Sequence, residues 1–193
     1  MRTRHGTADT ALYVTILDLA PPGGSVLDVG AGKGTYHGML VHRVGHLTLV
    51  DAHEPYLRDR RALLPAEKVT AVCGIVPQVL GALPQATRYD LVLAIDFVEH
   101  LDKPTAVATV QAMQRLGKTV AIFTPRGFHP QDHDYEGLGA DHWQTHRSSW
   151  QPEEFEALGF DVEVWAGFHE WARDRYHDYP DFCPDALWAV WRA

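Results

Sequence analysis

The sequence predicts an α/β fold with a mostly parallel, doubly wound sheet. Strand-sized apolar runs alternate with segments of helical spacing, which is typical of parallel strands joined by helices. The first run, at 26–29, leads directly into a glycine-rich turn and then into a segment that can begin a helix. Near the C terminus, the strand-like segments 160–165 and 187–191 follow one another without a helical crossover, which predicts an antiparallel pair.

The first half of the chain alternates helices and strands in order. An amphipathic helix is predicted over 8–19, where Leu12 and Ile16 share one face, and the Pro-Pro-Gly-Gly run at 21–24 ends it. This helix either covers a pocket or simply caps the sheet. The elements predicted after the first strand are a helix at 35–44, a strand at 46–51, a helix at 55–63 and a strand at 68–73.

The second half begins with a buried strand that follows Tyr89–Asp90 and ends at Asp96. Asp102 and Pro104 predict the start of the next helix, which Gly117 should close. The elements predicted beyond it are a strand at 119–124, a short helix at 152–158, and the two final strands.

Length and composition favour one soluble enzyme domain over 1–193. A chain of 193 residues is long enough for one full core and short for two. The net charge of −8 disfavours a nucleic-acid surface, which normally needs a basic footprint. Two distant cysteines offer neither a disulfide scaffold nor a zinc framework. No apolar run is long enough to span a membrane and the N terminus lacks the features of a signal peptide, so we expect a cytoplasmic protein with no membrane partner.

The glycine-rich turn carries the first functional signal. Gly30 and Gly32 would belong to a dinucleotide fingerprint if a glycine followed at 35, but that position is Thr35 and the third glycine comes at Gly34. Asp28 precedes the turn at the strand end. A carboxylate there would repel a pyrophosphate and would suit a ligand with an ammonium or sulfonium group. The turn therefore predicts a nucleotide ligand other than NAD.

The string D-V-G-A-G-K-G closely resembles the first motif of class I S-adenosylmethionine-dependent methyltransferases. The resemblance implies a Rossmann-like, seven-stranded sheet and S-adenosylmethionine as cofactor, with a helical cap over 1–24. It also implies that Asp28, Gly30, Ala31 and Gly32 contact the methionine and ribose parts of the cofactor.

Two further segments extend the predicted cofactor site. Asp51 ends the second strand, 23 positions after Asp28, where a carboxylate can accept hydrogen bonds from both ribose hydroxyls, with Ala52 beside it. The third strand is followed by Gly74 and Ile75, where relatives commonly carry an acid that binds the adenine amino group. Adenine recognition is therefore expected to rest on backbone amides and apolar walls at these two positions.

The string D-F-V-E-H-L at 96–101 resembles the fourth motif of the same family. The resemblance implies that Asp96 and Phe97 lie beside the transferring methyl group, since this strand end neighbours the first strand in a sheet of this type. Glu99 and His100 are expected to fix the turn and the following helix.

The acceptor is expected to bind between two aromatic and histidine-rich segments, 125–150 and 168–185. The order of T-P-R-G-F, P-E-E-F and L-G-F from residue 124 to 160 resembles a subgroup of small bacterial methyltransferases. We predict His146 or His142 as a general base for an O–H or N–H acceptor. The pairs His129/His133 and His142/His146 have metal-ligand spacing only on a helix, which the local proline and glycines oppose, so no metal site is predicted.

The predicted reaction is in-line transfer of the sulfonium methyl group to a small-molecule acceptor, most simply an oxygen or nitrogen nucleophile. Two alternatives remain open: another group transfer with the same cofactor, such as aminopropyl transfer, and a non-catalytic domain that binds a partner subunit. The segment 168–185 is interpreted either as a second wall of the acceptor site or as a contact in a homodimer.

Overall fold

A computed structural model describes residues 8–84, 88–134, 137–173, 176, 178–179 and 182–193, with side chains from residue 10 onward. Its strands are β1 (Ser25–Val29), β2 (His46–Asp51), β3 (Val69–Cys73), β4 (Tyr89–Ile95), β5 (Gly117–Pro125), β6 (Asp161–Trp165) and β7 (Ala186–Arg192). Its α-helices are α1 (Ala8–Leu19), α2 (His37–Arg43), α3 (Glu54–Leu63), α4 (Gln78–Ala82), α5 (Lys103–Leu116), α6 (Asp141–Gln144) and α7 (Pro152–Glu156). Short 3₁₀ turns cover Val98–His100 and Glu170–Ala172.

The seven strands form one sheet in the order β3-β2-β1-β4-β5-β7-β6. The first five strands are parallel, and β7 is antiparallel to both β5 and β6. The strand order reverses between β1 and β4, and open sheets of this kind bind ligands beyond the carboxyl ends of the strands at that point. The predicted seven-stranded, Rossmann-like α/β fold with an antiparallel C-terminal pair is confirmed.

The core consists of two apolar layers, one on each face of the sheet. Successive residues of a strand point to opposite faces, so Val26 of β1 packs in the layer with α1 and α2 whereas Leu27 packs in the layer with α4 and α5. Leu12 and Ile16 of α1 are both buried, as their spacing predicts. The parallel strands are covered on both faces, which explains their nearly continuous apolar sequences.

Helix α5 begins and ends where its sequence signals indicate. The Asp102 side chain accepts a hydrogen bond from the Thr105 backbone N–H at 3.1 Å and so caps the helix. The helix ends at Leu116, and Gly117 is already the first residue of β5. The structure adds α4 and α6, two short helices that the sequence patterns do not predict, because single turns carry little periodic signal.

Some predicted segments lie partly outside the described residues. These are the N-terminal cap 1–24 and the two acceptor-side segments 125–150 and 168–185. Throughout the described ranges, no helix combines the length and apolar character that crossing a bilayer would require.

Candidate active site

The turn after β1 adopts a conformation that only glycine supports well at position 30. Gly30 has φ +72°, and its N–H, like that of Ala31, donates to the Val50 carbonyl of β2. A Cβ atom at Gly30 would lie 2.0 Å from Cδ2 of Phe97. The close approach of the β1 and β4 turns therefore depends on the absence of a side chain at this position.

Asp51 joins the end of β2 to the glycine-rich turn. Its Oδ2 accepts a hydrogen bond from the Gly32 N–H at 2.8 Å, and its Oδ1 accepts one from the His53 N–H at 2.8 Å. Burial raises the pKa of the Asp51 carboxyl, although the two backbone N–H groups oppose that shift. A carboxylate oxygen has two lone pairs, so each oxygen can still accept a hydrogen bond from a ligand hydroxyl.

Two adjoining cavities of about 70 and 250 Å³ open at the carboxyl ends of β1, β2 and β4. We call them together the cofactor cleft, after the residues that the sequence predicts at the cofactor. Nine of the ten residues that the sequence predicts at the cofactor line this cleft, and they are Gly30, Ala31, Gly32, Asp51, Ala52, Gly74, Ile75, Asp96 and Phe97. The topology brings together residues that are up to 67 positions apart, since the Gly30 backbone and the Phe97 ring lie next to each other at the sheet edge.

Asp28 differs from its predicted position at the cofactor. Its side chain is fully buried, and Oδ2 accepts hydrogen bonds from the Tyr36 hydroxyl at 2.7 Å and from His37 Nε2 at 2.5 Å. The His37 ring in turn fills the space where a Cβ of Gly34 would lie. Asp28 therefore supports the glycine-rich turn from within the protein instead of facing the ligand, because both buried polar groups need its carboxylate.

We expect Asp28→Ala to lower the free energy of unfolding by at least about 1–3 kcal/mol, since it leaves two buried polar groups without their acceptor. Urea unfolding of the wild type and the variant measures the change. Asp161→Ala is the control: Asp161 is exposed on the edge strand β6, and its removal should change stability by less than about 0.5 kcal/mol. Equal midpoints for Asp28→Ala and the wild type would contradict the supporting role.

The cofactor cleft also contains residues that the sequence patterns do not single out, among them Tyr13, Tyr56 and Gln144. Tyr13 belongs to α1, whose apolar spacing indicates a buried face but no ligand contact. Tyr56 of α3 donates its hydroxyl hydrogen to Asp134 Oδ1 at 2.7 Å and so ties α3 to the segment after β5. Gln144 ends α6, within the segment that the sequence assigns to the acceptor side.

The turn after β4 begins at the strained and exposed residue Asp96 and is buried from Val98 to His100. Asp96 has φ +47°, a conformation that few residues other than glycine adopt, and its N–H donates to the Phe123 carbonyl at 2.8 Å. Glu99 is buried, and its Oε2 accepts a hydrogen bond from the Thr124 hydroxyl at 2.8 Å. Burial, followed by the charge of Asp96, raises the pKa of Glu99 well above its usual value. Burial also lowers the pKa of His100 to about 4.

His146 lies against this turn. Its Nδ1 donates to the His129 carbonyl at 2.6 Å, and its ring centroid lies 4.7 Å from that of His100. The backbone N–H groups of Arg147 and Ser148 both donate to the Glu99 carbonyl, which holds the chain beside the turn. Burial, followed by the proximity of His100, lowers the pKa of His146 to about 3. His146 is therefore a neutral imidazole at pH 7 and a weak proton acceptor.

His142, the other predicted base, is exposed on α6 with its ring against Trp143. Helix α6 ends at Gln144, so His142 and His146 do not share a helical face. His146 lines a cavity next to the cofactor cleft, whereas His142 does not line that cavity.

This neighbouring cavity of about 240 Å³ is here called the histidine cavity. It shares Asp96, His100 and Gln144 with the cofactor cleft. Its other walls come from both predicted acceptor-side segments, which contribute His129, His146, His169 and Trp171. The sequence predicts no metal site, yet Glu99, His100 and His146 each present a potential metal-binding atom, and these three atoms lie within 4.8 Å of one another. The sequence patterns did not identify this group, because they assigned Glu99 and His100 a structural role in the turn.

Comparisons with known proteins agree with this architecture. Residues 26–119 match a family model described as a methyltransferase domain. A search of the curated proteins found no match.

Solved structures with the same fold include a SAM-dependent methyltransferase from Archaeoglobus fulgidus, 17% identical with a TM-score of 0.65, over 97% of this chain and 95% of that one. Another is the N-methyltransferase NodS from Bradyrhizobium japonicum, 12% identical with a TM-score of 0.64, over 96% of both chains. A third is the Burkholderia thailandensis 1,6-didemethyltoxoflavin-N1-methyltransferase with bound 1,6-didemethyltoxoflavin and S-adenosylhomocysteine, 20% identical with a TM-score of 0.64, over 97% of this chain and 78% of that one.

The sheet order, the glycine-rich turn at its switch point and the match to the methyltransferase domain lead to one conclusion. Residues 26–119 form a methyltransferase domain, the whole chain has the class I fold, and S-adenosylmethionine is the cofactor.

Proposed function

We propose that this enzyme transfers the methyl group of S-adenosylmethionine to a small-molecule acceptor with an oxygen or nitrogen nucleophile. The observation that carries the proposal is that the cofactor cleft and the histidine cavity meet at Asp96, His100 and Gln144. A cofactor in the first space would present its methyl group to an acceptor in the second. The cavity volume of about 240 Å³ suits a small molecule or the end of a larger one.

In this proposal the nine predicted residues that line the cofactor cleft bind the cofactor. Asp51 accepts the ribose hydroxyls, while Gly74 and Ile75 contact adenine through backbone groups and apolar surface. Gly30, Ala31 and Gly32 lie along the methionine part. Asp96 and Phe97, at the junction of the two spaces, lie beside the sulfonium methyl group, where the charge of Asp96 favours a cationic sulfur.

The reaction requires alignment more than a strong base. The methyl carbon is already activated by the positive sulfur, and the acceptor atom must lie in line with the breaking C–S bond. Because the pKa of His146 is about 3, we propose that this residue contacts the acceptor side without serving as the principal proton acceptor. The Burkholderia thailandensis neighbour, which was solved with bound 1,6-didemethyltoxoflavin, supports a small-molecule acceptor.

Methyl-labelled S-adenosylmethionine tests the proposal. The enzyme is incubated with the labelled cofactor and a cell extract separated into small molecules, protein and nucleic acid. We expect the label to move to the small-molecule fraction in a product other than methylthioadenosine. Aminopropyl transfer would leave the label on methylthioadenosine, and label in protein or nucleic acid would exclude the proposed acceptor class. No label transfer by a folded, cofactor-binding enzyme would favour the non-catalytic alternative. Asp51→Ala serves as the inactive control.

A further inference from the structure

The histidine cavity contains an unusual concentration of buried nitrogen and oxygen ligands. Besides Asp96, four imidazoles and one carboxylate lie in its walls, from Glu99, His100, His129, His146 and His169. These residues come from three separate segments of the chain. In-line methyl transfer by itself requires none of them, so their convergence beside the methyl-transfer position suggests a second chemical role.

Three of them meet at metal-binding distance. One ligand atom from each of Glu99, His100 and His146 lies within 4.8 Å of the other two. Bonds from divalent metals to nitrogen and oxygen ligands are about 2.0–2.2 Å, so two ligand atoms in a tetrahedral site are about 3.3–3.6 Å apart. The three side chains would therefore need to close by up to about 1.5 Å to hold one ion.

Two buried side-chain atoms of this group have no hydrogen-bond partner among the described residues. Glu99 Oε1 and His100 Nδ1 are buried and accept or donate no hydrogen bond within the part of the chain that the structure describes. A buried polar atom without a partner is destabilising, and most buried polar atoms in proteins have one. A metal ion bound at this point would supply both atoms with one.

The surrounding hydrogen bonds orient the ligands as metal sites require. Thr124 donates its hydroxyl hydrogen to Glu99 Oε2, which leaves Oε1 directed away from that bond. His146 Nδ1 donates to the His129 carbonyl, so the ring carries its proton on Nδ1 and Nε2 keeps a free lone pair. Metal-binding histidines usually donate their other ring N–H to a carbonyl or carboxylate in this way.

We propose that Glu99, His100 and His146 bind a divalent transition-metal ion beside the methyl-transfer position, and that this ion holds an oxygen atom of the acceptor. Two imidazoles and one carboxylate suit Zn²⁺, Mn²⁺, Fe²⁺ or Co²⁺ better than Mg²⁺ or Ca²⁺, which prefer oxygen ligands. Three protein ligands leave coordination positions open toward the cavity. Contact between the ion and the acceptor rests on the proposed methyl transfer, whereas binding of the ion does not.

The ion would select an oxygen nucleophile. A bound cation lowers the pKa of a coordinated hydroxyl, which removes the need for a strong protein base. The acceptor hydroxyl loses its proton to solvent, and an oxygen lone pair forms the bond to the methyl carbon. The electron pair of the breaking C–S bond stays on sulfur. The products are a methyl ether, neutral S-adenosylhomocysteine and one released proton.

Metal binding is tested on the full-length protein after chelator treatment. Co²⁺ is titrated into the protein, and its visible absorption and the heat of binding are recorded. We expect one Co²⁺ per chain, with Zn²⁺ competing for the same site. Glu99→Gln and His146→Gln should each weaken binding at least tenfold, because even the loss of residues that only support ligands commonly costs 10–100-fold. Glu67→Gln and His42→Gln, at exposed positions outside the cavity, should bind Co²⁺ like the wild type.

The outcomes of the titration test binding of the ion independently of methyl transfer. Titration of S-adenosylhomocysteine into each variant shows whether it is folded. If either ligand variant fails to fold, Thr124→Val replaces it in the titration. This variant removes only the hydroxyl that orients Glu99, and we expect it to bind Co²⁺ more weakly than the wild type. Stoichiometric binding that is lost in the variants establishes the site. No binding to the folded wild type, or equal binding by the ligand variants, would overturn it.

Activity then tests the role of the ion with the acceptor. Methyl transfer should fall at least tenfold in chelator and return when Mn²⁺, Co²⁺ or Zn²⁺ is added. Full activity in chelator would refute contact between ion and acceptor. No transfer in any fraction by a metal-loaded, cofactor-binding protein would refute the proposed function and leave the metal site established.

Discussion

Gly30→Ala is expected to lower the free energy of unfolding by about 2–5 kcal/mol and to weaken S-adenosylhomocysteine binding more than tenfold. About 1–2 kcal/mol comes from a non-glycine residue at φ +72°, and about 1–3 kcal/mol comes from overpacking against Phe97. The new Cβ would lie 2.0 Å from Cδ2 of that ring, so the ring or the turn must move. Both line the cofactor cleft, and its shape changes in either case.

The matched control is Gly38→Ala, eight positions away. Gly38 is exposed within α2, and no described atom outside its own helix lies within 4 Å of a Cβ built there. Alanine favours the helix by up to about 1 kcal/mol over glycine, so this variant should be as stable as the wild type or more stable. Urea unfolding and calorimetry on both variants give the comparison. Wild-type binding and stability in Gly30→Ala would refute the close packing of the two turns.

Asp51→Ala is expected to raise the dissociation constant of S-adenosylhomocysteine at least tenfold, which corresponds to about 1.4 kcal/mol. The variant removes the proposed acceptor of the ribose hydroxyls and also the acceptor of the Gly32 and His53 backbone N–H groups. Hydrogen bonds to a charged group contribute about 1.5–3 kcal/mol each, so a larger loss would be consistent with two such bonds.

Isothermal titration calorimetry measures this effect directly. Asp51→Asn separates charge from shape, since it keeps one acceptor oxygen in place, and we expect its affinity to fall between those of the wild type and the alanine variant. Asp161→Ala, at the far edge of the sheet, should bind like the wild type. Unchanged affinity in Asp51→Ala would show that the cofactor does not use this carboxylate.

The cofactor side was largely predictable because its signals are local in the sequence. A turn that needs glycine follows a strand, and an acid or small residue ends each neighbouring strand, so the parallel sheet brings Gly30, Asp51, Gly74 and Asp96 to one edge. Asp28 was the exception among the residues predicted at the cofactor. The alternation of residues along a strand does not show which buried polar groups will form hydrogen bonds with a carboxylate. Its partners, Tyr36 and His37, become visible only when the turn is folded back over β1.

The sequence by itself determined the fold class, the cofactor and most residues of its cleft, since strand periodicity and glycine-rich turns act over short distances along the chain. Only the tertiary structure brought the residues of the histidine cavity together. Glu99 and His100 come from the turn after β4, and His146 comes from an irregular segment 46 positions beyond His100. The spacing of these residues in the sequence does not indicate that they lie close together in the fold. Their proximity depends on backbone hydrogen bonds from Arg147 and Ser148 to the Glu99 carbonyl, which fold that segment onto the turn and bring an imidazole beside a buried carboxylate.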